Sequence, residues 1–124
     1  MIQILELVKR KRVDIICLAS SFLEAIFVLK SKGMSESMIR SVIAAMISKL
    51  KKNGVDKIES ITLESLLGCL TLRELYMITF YDALHASMTL SASAVLISND
   101  KVYDNIRGMK RLSFVTFSRR LGGK

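Results

Sequence analysis

The chain has 124 residues, just over half of them apolar, which allows one domain with a real core and excludes a disordered chain. Its net charge of +8 favours a polyanionic partner, with nucleic acid ahead of an anionic membrane. The basic residues cluster at Lys9–Arg12, at Lys49, Lys51 and Lys52, at Lys110–Arg111 and at Arg119–Arg120. The two cysteines lack the spacing of a zinc site, and the longest apolar stretch is too short and too charged to span a bilayer. We therefore expect a cytoplasmic protein.

Hydrophobic periodicity predicts a chain of alternating helices and strands. The predicted helices are Met1–Arg10, Phe22–Ser31, Ser35–Asn53, Thr62–Leu75, one that opens at Asp82, and a short one over Val102–Ile106. Gly33 is predicted to close the second of these helices, Ser35 to start the third, and Thr62 to cap the fourth. The predicted strands are Val13–Leu18, Ala94–Ile97 and Ser113–Phe117, with a short extended piece at Lys57–Ile61. This order predicts an α/β fold, a three-layer α/β/α arrangement around a short parallel sheet. We expect a single domain over residues 1–117 and a loose basic tail over residues 118–124.

Three acids are predicted to meet at the carboxyl edge of this sheet, where open α/β folds bind ligands. Glu24 lies in the first turn of the helix after the first strand, Asp82 opens a helix, and Asp100 follows the strand Ala94–Ile97. Clustered carboxylates repel one another unless a divalent cation lies between them, and oxygen ligands without histidine suit Mg²⁺ or Mn²⁺. The acids therefore predict a metal site able to hydrolyse phosphodiester bonds, beside a basic surface that holds a nucleic-acid backbone.

Each of these acids also has a structural interpretation. Glu24 and Ser21 have the spacing of a capping box, and Asp82 suits the positive end of a helix dipole. Asp100, or Asn99 beside it, can cap the helix that follows. For any one acid alone, capping is the commoner role.

Three polar neighbours of the acids add to the candidate site. Ser98 can orient a carboxylate or simply bond the backbone at the end of the strand. Asp104, four residues after Asp100, is an outer ligand or a surface acid. His85 lies one turn after Asp82 on an apolar helix, where a lone histidine is usually packed, so it is left out of the catalytic set.

The stretch Phe80–Ser87, followed by Leu96–Lys101, resembles the second half of a PIN domain. That family has an Asp-Ala-x-x-Ala helix start, here Asp82–Ala86, and a strand that ends in Thr-x-Asp, here Ser98–Asp100 with Ser in place of Thr. The segment Ser21–Glu24 is similar to the family's helix that carries its glutamate. The resemblance covers nearly the whole chain.

The resemblance implies a Mg²⁺- or Mn²⁺-dependent endoribonuclease, commonly the toxin of a toxin–antitoxin pair and often dimeric. Its implied partners are RNA and an antitoxin protein. By position, it implies that Glu24, Asp82 and Asp100 are catalytic metal-site carboxylates, with Asp104 as an additional metal ligand.

The start of the sequence departs from the family pattern. A PIN domain opens with a central strand that ends in a metal-ligating Asp, whereas this sequence begins within the predicted helix Met1–Arg10 and has no Asp before Asp14. Three explanations are a start placed too far downstream, an inactive truncated relative, and a gap filled by another chain or a rearranged N-terminus. Loss of a central strand leaves unpaired sheet edges, so we expect homo-oligomers.

Three functions are therefore open at this point. The first is a PIN-like, metal-dependent ribonuclease. The second is a catalytically inactive PIN-like module that binds RNA or a protein. The third is a small α/β protein whose acids are all helix caps, which would bind no metal.

Overall fold

The computed structural model describes residues 14–122. The protein is mixed α/β, as the sequence predicts, and it is mainly helical. In chain order its elements are β1 (Ile16–Leu18), α1 (Ala19–Ser31), α2 (Glu36–Lys52), β2 (Lys57–Glu59), α3 (Leu63–Tyr76), α4 (Phe80–Ser91), β3 (Leu96–Ile97), a 3-10 helix (Lys101–Asn105), β4 (Arg111–Leu112) and α5 (Phe114–Gly122). The predicted helix Met1–Arg10 and the basic cluster at residues 9–12 lie outside the described residues.

The chain divides into two compact units, Met1–Ile58 and Glu59–Lys124. In the first unit, β1 pairs with β2, the segment that the sequence predicts only as an extended piece. A small core centres on Val55, against which Ile15, Cys17 and Leu50 pack. The predicted first strand is thus present as β1, and it pairs with β2 rather than with β3 or β4.

The capping box predicted at Ser21 and Glu24, for the helix Phe22–Ser31, is wrong. Helix α1 begins at Ala19, directly after β1, and its N-cap is Leu18, which has no side-chain capping bond. Ser20 and Ser21 therefore lie inside the helix, and Glu24 lies in its second turn rather than its first. The serines were misleading because the helix begins at Ala19, at the end of β1 and two residues before Ser21.

The capping signals of the next two helices are confirmed. The side chain of Ser35 accepts from the backbone N–H of Met38 at 3.2 Å at the start of α2. Thr62 caps α3 and forms a reciprocal capping box with Ser65. Gly33 has φ of +83°, and its left-handed conformation ends α1.

Helices α3 and α4 form the centre of the second unit. Seven consecutive residues of α4, Ala83–Thr89, are buried. Gly68 of α3 lies against this helix, and a Cβ added there would come within 2.4 Å of the Ser87 hydroxyl oxygen. That hydroxyl donates to the Ser65 carbonyl of α3 at 2.8 Å. The absence of a side chain at Gly68 therefore allows both the close approach and the hydrogen bond.

Strands β3 and β4 pair in parallel, with Leu96 opposite Arg111 and Ile97 opposite Leu112. The predicted final strand, Ser113–Phe117, is wrong, because Phe114–Gly122 is a helix. The Ser113 hydroxyl caps it by accepting from the Thr116 N–H at 3.1 Å, and Asn99 Oδ1 accepts from the Phe114 N–H at 3.1 Å. Two caps outweigh the strand propensity of the Phe-Val-Thr-Phe run.

The described strands form two separate two-stranded sheets. Residues 118–122, which the sequence assigns to a loose basic tail, continue helix α5. Among the helices between residues 14 and 122, none combines the length and hydropathy needed to cross a membrane.

Candidate nucleic-acid interface

The turn Ser98–Asp100 joins three elements at the carboxyl end of β3. The Ser98 hydroxyl accepts from the Asp100 N–H at 3.1 Å, so it shapes the turn through the backbone. Asp100 Oδ1 accepts from the Val102 N–H at 3.0 Å and caps the 3-10 helix, while Asn99 caps α5. The capping interpretation of Asp100 is therefore confirmed, and the two neighbouring residues cap two different helices.

Asp82 lies in the first turn of α4, whose N-cap is Thr79. One carboxylate oxygen of Asp82 accepts from the Tyr103 hydroxyl at 3.2 Å. Tyr103 is buried on the 3-10 helix that Asp100 caps. This hydrogen bond joins the first turn of α4 to the 3-10 helix that Asp100 caps, while the meeting of Asp82 and Asp100 at one edge of the sheet stays a prediction.

Asp104 forms a two-pronged ion pair with Arg111. Its two carboxylate oxygens accept from Arg111 Nε at 2.8 Å and from Arg111 Nη2 at 2.9 Å. This contact lowers the pKa of the Asp104 carboxyl and raises the pKa of the Arg111 guanidinium. The remaining guanidinium nitrogen donates to the Ser98 carbonyl at 2.9 Å. Arg111 therefore ties β4 to both the 3-10 helix and the end of β3.

Glu24 belongs to a different compact unit from the other candidate acids. It is a half-buried residue of α1 in the first unit, whereas Asp82, Asp100 and Asp104 belong to the second. Glu24 has a polar or electrostatic partner of its own.

His85 is buried in α4, and its ring stacks on that of Tyr81 with 6.1 Å between centroids, as expected of a packed histidine. The thiol of Cys69 is also buried, and burial raises its pKa. Both residues therefore belong to the interior of the second unit.

The donor set for a divalent cation can be judged from these contacts. Between residues 14 and 122, no group of three or more His, Cys, Asp or Glu side chains is arranged to hold a metal ion. Asp104 uses both oxygens on Arg111, and Asp82 and Asp100 each use one oxygen on a protein donor. In the described part of the chain, these acids do not form the three-carboxylate site that the resemblance implies.

The network residues Tyr103, Asp104 and Arg111 lie within a basic segment of the chain, Lys101–Arg120. It contains six basic residues and a single acid, Asp104, which Arg111 neutralises. Its five other basic side chains are exposed and form no ion pair with any residue between 14 and 122: Lys101, Arg107, Lys110, Arg119 and Arg120. Exposed cations without an acidic partner are suited to contact phosphate groups.

The lysines of α2 give a second cluster of positive charge with a simpler explanation. Lys49, Lys51 and Lys52 lie in the last turn of that helix, where cations interact favourably with its C-terminal partial charge. Their placement is accounted for by the stability of the helix.

An apolar face on α3 is a different kind of surface. Leu63 and Leu67 are largely exposed, and an open groove of about 500 Å³ follows at the end of the helix. One cation, Arg73, and one anion, Glu74, line this groove, so it offers no net charge to a polyanion.

Comparisons with protein-family models, curated proteins and solved structures find no match to this chain.

Sequence reasoning missed Arg111 and Tyr103 as members of this network. Arg111 was counted only as one charge of a basic pair, and Tyr103 only as part of a short helix. The opposite charges of Asp104 and Arg111, seven residues apart with Gly108 between them, were a signal for an ion pair. The pairing of Tyr103 with Asp82 depends on the packing of α4 and carries no local signal.

Proposed function

We propose that this protein is a PIN-like RNA-binding module, with the three-layer α/β/α arrangement of that family, in which the acids after strand β3 support the fold. The observation that carries the proposal is the basic segment Lys101–Arg120, where five exposed cations accompany one acid that is already neutralised. The resemblance to the PIN family supports RNA as the polyanion.

The positions of the acids agree with this proposal. Asp100 caps the 3-10 helix, Asp104 holds Arg111, and Asp82 accepts from a buried tyrosine. Each contact fixes the backbone from which the basic residues project. The acids thus organise the surface, while the cations bind phosphate groups.

Fluorescence anisotropy with a labelled, unstructured single-stranded RNA tests the proposal. The decisive variant combines Lys101→Gln, Arg107→Gln, Lys110→Gln, Arg119→Gln and Arg120→Gln. A matched control combines Lys49→Gln, Lys51→Gln and Lys52→Gln in α2. We expect the first variant to lose at least tenfold in affinity, and the control to lose much less. Equal losses, or no binding by the unmodified protein, would overturn the proposal.

Metal-dependent RNA hydrolysis is the second candidate, and the hydrogen bond between Tyr103 and Asp82 favours it. That bond brings the start of α4 beside the 3-10 helix that Asp100 caps. The described residues do not fit a complete metal site, so no hydrolytic step is derived from them. An antitoxin partner and homo-oligomers would accompany this candidate.

Calorimetry with Mn²⁺ distinguishes the two candidates. It should be run on the unmodified chain and on the Asp82→Asn/Asp100→Asn variant, with circular dichroism to confirm folding. Our proposal predicts no binding by either protein. Binding by the unmodified chain that the variant loses would establish the metal site and favour the ribonuclease.

A further inference from the structure

Helix α5 carries two of the five exposed cations, Arg119 and Arg120, yet its own side chains pack only partly into the interior. It is nine residues long, and a helix of that length is only marginally stable in water by itself. Between Phe114 and Arg120, none of its residues is buried. The order of α5 therefore depends strongly on the hydrogen bonds at its start.

Two side-chain hydrogen bonds hold the start of α5, and they come from different parts of the chain. Ser113 Oγ accepts from the Thr116 N–H at 3.1 Å, which is a bond within the first turn. Asn99 Oδ1 accepts from the Phe114 N–H at 3.1 Å, across a separation of fifteen residues. The bond from Asn99 therefore fixes the start of α5 relative to the turn that follows β3.

The residues on either side of Asn99 hold the other elements of the basic segment. The Ser98 carbonyl accepts from Arg111 of β4 at 2.9 Å. Asp100 Oδ1 accepts a backbone N–H at 3.0 Å and caps the 3-10 helix, which begins at the exposed Lys101. Three consecutive residues thus each hold a different element of the basic segment, and Asn99 is the one that holds α5.

We infer that Asn99 is a positioning residue for RNA binding, which holds α5 so that Arg119 and Arg120 are in place before the RNA binds. The inference rests on the proposed RNA-binding function and adds an uncharged residue that acts through α5. When the binding-competent arrangement of a protein is only partly populated, its apparent affinity falls by that fraction. Loss of the bond from Asn99 should therefore weaken RNA binding although no cation is removed.

Hydrogen exchange of the α5 amides tests the bond itself. Asn99→Ala removes the acceptor, whereas Asn99→Asp keeps an oxygen at the same distance along the side chain. We expect the Phe114 amide and the rest of α5 to exchange faster in Asn99→Ala than in the unmodified protein, and Asn99→Asp to restore the protection. The same exchange rates in Asn99→Ala and the unmodified protein would overturn the inference.

The RNA affinity of Asn99→Ala gives a second readout. We expect about fivefold weaker binding, because a lost capping bond lowers the population of the ordered helix by roughly that factor. Thr62→Ala is the matched control, since it removes a side-chain cap from α3 in the same unit. It should lower the thermal midpoint without changing RNA affinity. An equal loss of affinity in the two variants would overturn the positioning role.

A double-mutant cycle decides whether Asn99 acts through the two arginines. In the Arg119→Gln/Arg120→Gln background, Asn99→Ala should have little further effect on RNA affinity. The same loss in both backgrounds would overturn the inference. If Asn99→Ala binds RNA like the unmodified protein while the variant with Gln at the five exposed basic positions does not, the positioning role is wrong and the RNA-binding function stands. If the unmodified protein binds no RNA, both fail.

Discussion

Helix α4 and the basic segment Lys101–Arg120 belong to the same compact unit and have opposite characters. Helix α4 buries seven consecutive residues, and its only charged residue is Asp82, held by Tyr103. The basic segment exposes five cations, and its helix α5 begins with an exposed aromatic residue. The first region forms much of the interior of the unit, and the second is the region to which we assign RNA binding.

The contrast between these two regions shows why Asp82 and Asp100 could be interpreted both as metal ligands and as residues that support the fold. Asp82 and Asp100 lie where these two regions meet, and they resemble metal ligands because both are acids at the ends of elements. In the structure, Asp82 links the buried helix to the exposed segment by accepting from Tyr103. Asp100 caps the 3-10 helix at the start of that segment. Substitutions that affect stability alone or binding alone can therefore separate the two regions.

Charge reversal in the basic segment gives the largest expected effect. Lys101→Glu/Lys110→Glu should weaken the binding of single-stranded RNA by more than an order of magnitude, because two attractive phosphate contacts become repulsive. Both side chains are exposed, so the thermal midpoint should change little. Anisotropy titrations and thermal unfolding measure the two quantities, and a large loss of stability with unchanged binding would contradict the assignment.

Gly68→Ala should affect the packing of helix α4 and leave the basic segment unchanged. The added methyl group would clash with the Ser87 hydroxyl, so we expect the free energy of unfolding to fall by about 1–3 kcal/mol. The RNA affinity of the folded protein should not change. Denaturant unfolding measures the loss.

Ser87→Ala provides the control for this clash, since it removes the oxygen that the new methyl group meets. The double variant Gly68→Ala/Ser87→Ala should lose less than the sum of the two single losses. Additive losses would show that the close approach of α3 and α4 is not the cause.

Arg111→Ala should destabilise the protein more than Asp104→Asn does. Arg111 bonds both Asp104 and the Ser98 carbonyl, and Asp104→Asn leaves the bond to Ser98 in place. Thermal unfolding at neutral pH compares the two variants. The same midpoint for both would mean that the contact with the end of β3 contributes nothing.

The pH dependence of stability gives the smallest effect. The Asp104 carboxyl has a lowered pKa in the folded protein, so its contribution is present above the ordinary carboxylate pKa and is lost as the pH falls through the lowered value. Asp104 is half-exposed, which keeps the effect small. Asp104→Asn should reduce the difference in thermal midpoint between pH 7 and pH 3, and an unchanged difference would argue against the ion pair in solution.

The parts of the fold that could be predicted depend on local chemistry. Ser35, Thr62 and Gly33 act within one turn of a helix, and all three predictions are confirmed. The strand predicted at Ser113–Phe117 is wrong because one of the two helix caps comes from Asn99, fourteen residues before Ser113. The strand propensity of Ser113–Phe117 could not reveal the hydrogen bond from the Phe114 N–H to Asn99.

The candidate site shows the same limit. The sequence predicts that Asp82 and Asp100 meet at the carboxyl edge of the sheet, and this stays a prediction. It does not indicate that Tyr103 occupies one oxygen of Asp82 or that Arg111 occupies both oxygens of Asp104. Those contacts depend on how the 3-10 helix packs against α4 and β4, which no local pattern determines.

The salt dependence of RNA binding tests the central claim most directly. Affinity for single-stranded RNA should be measured at several salt concentrations for the unmodified protein and for the variant with Gln at the five exposed basic positions. Each lost phosphate contact lowers the slope of log affinity against log salt by about 0.7. For five lost contacts we predict a slope shallower by roughly 3.5 in the variant. Equal slopes for the two proteins would contradict the assignment of the basic segment as the RNA-binding surface.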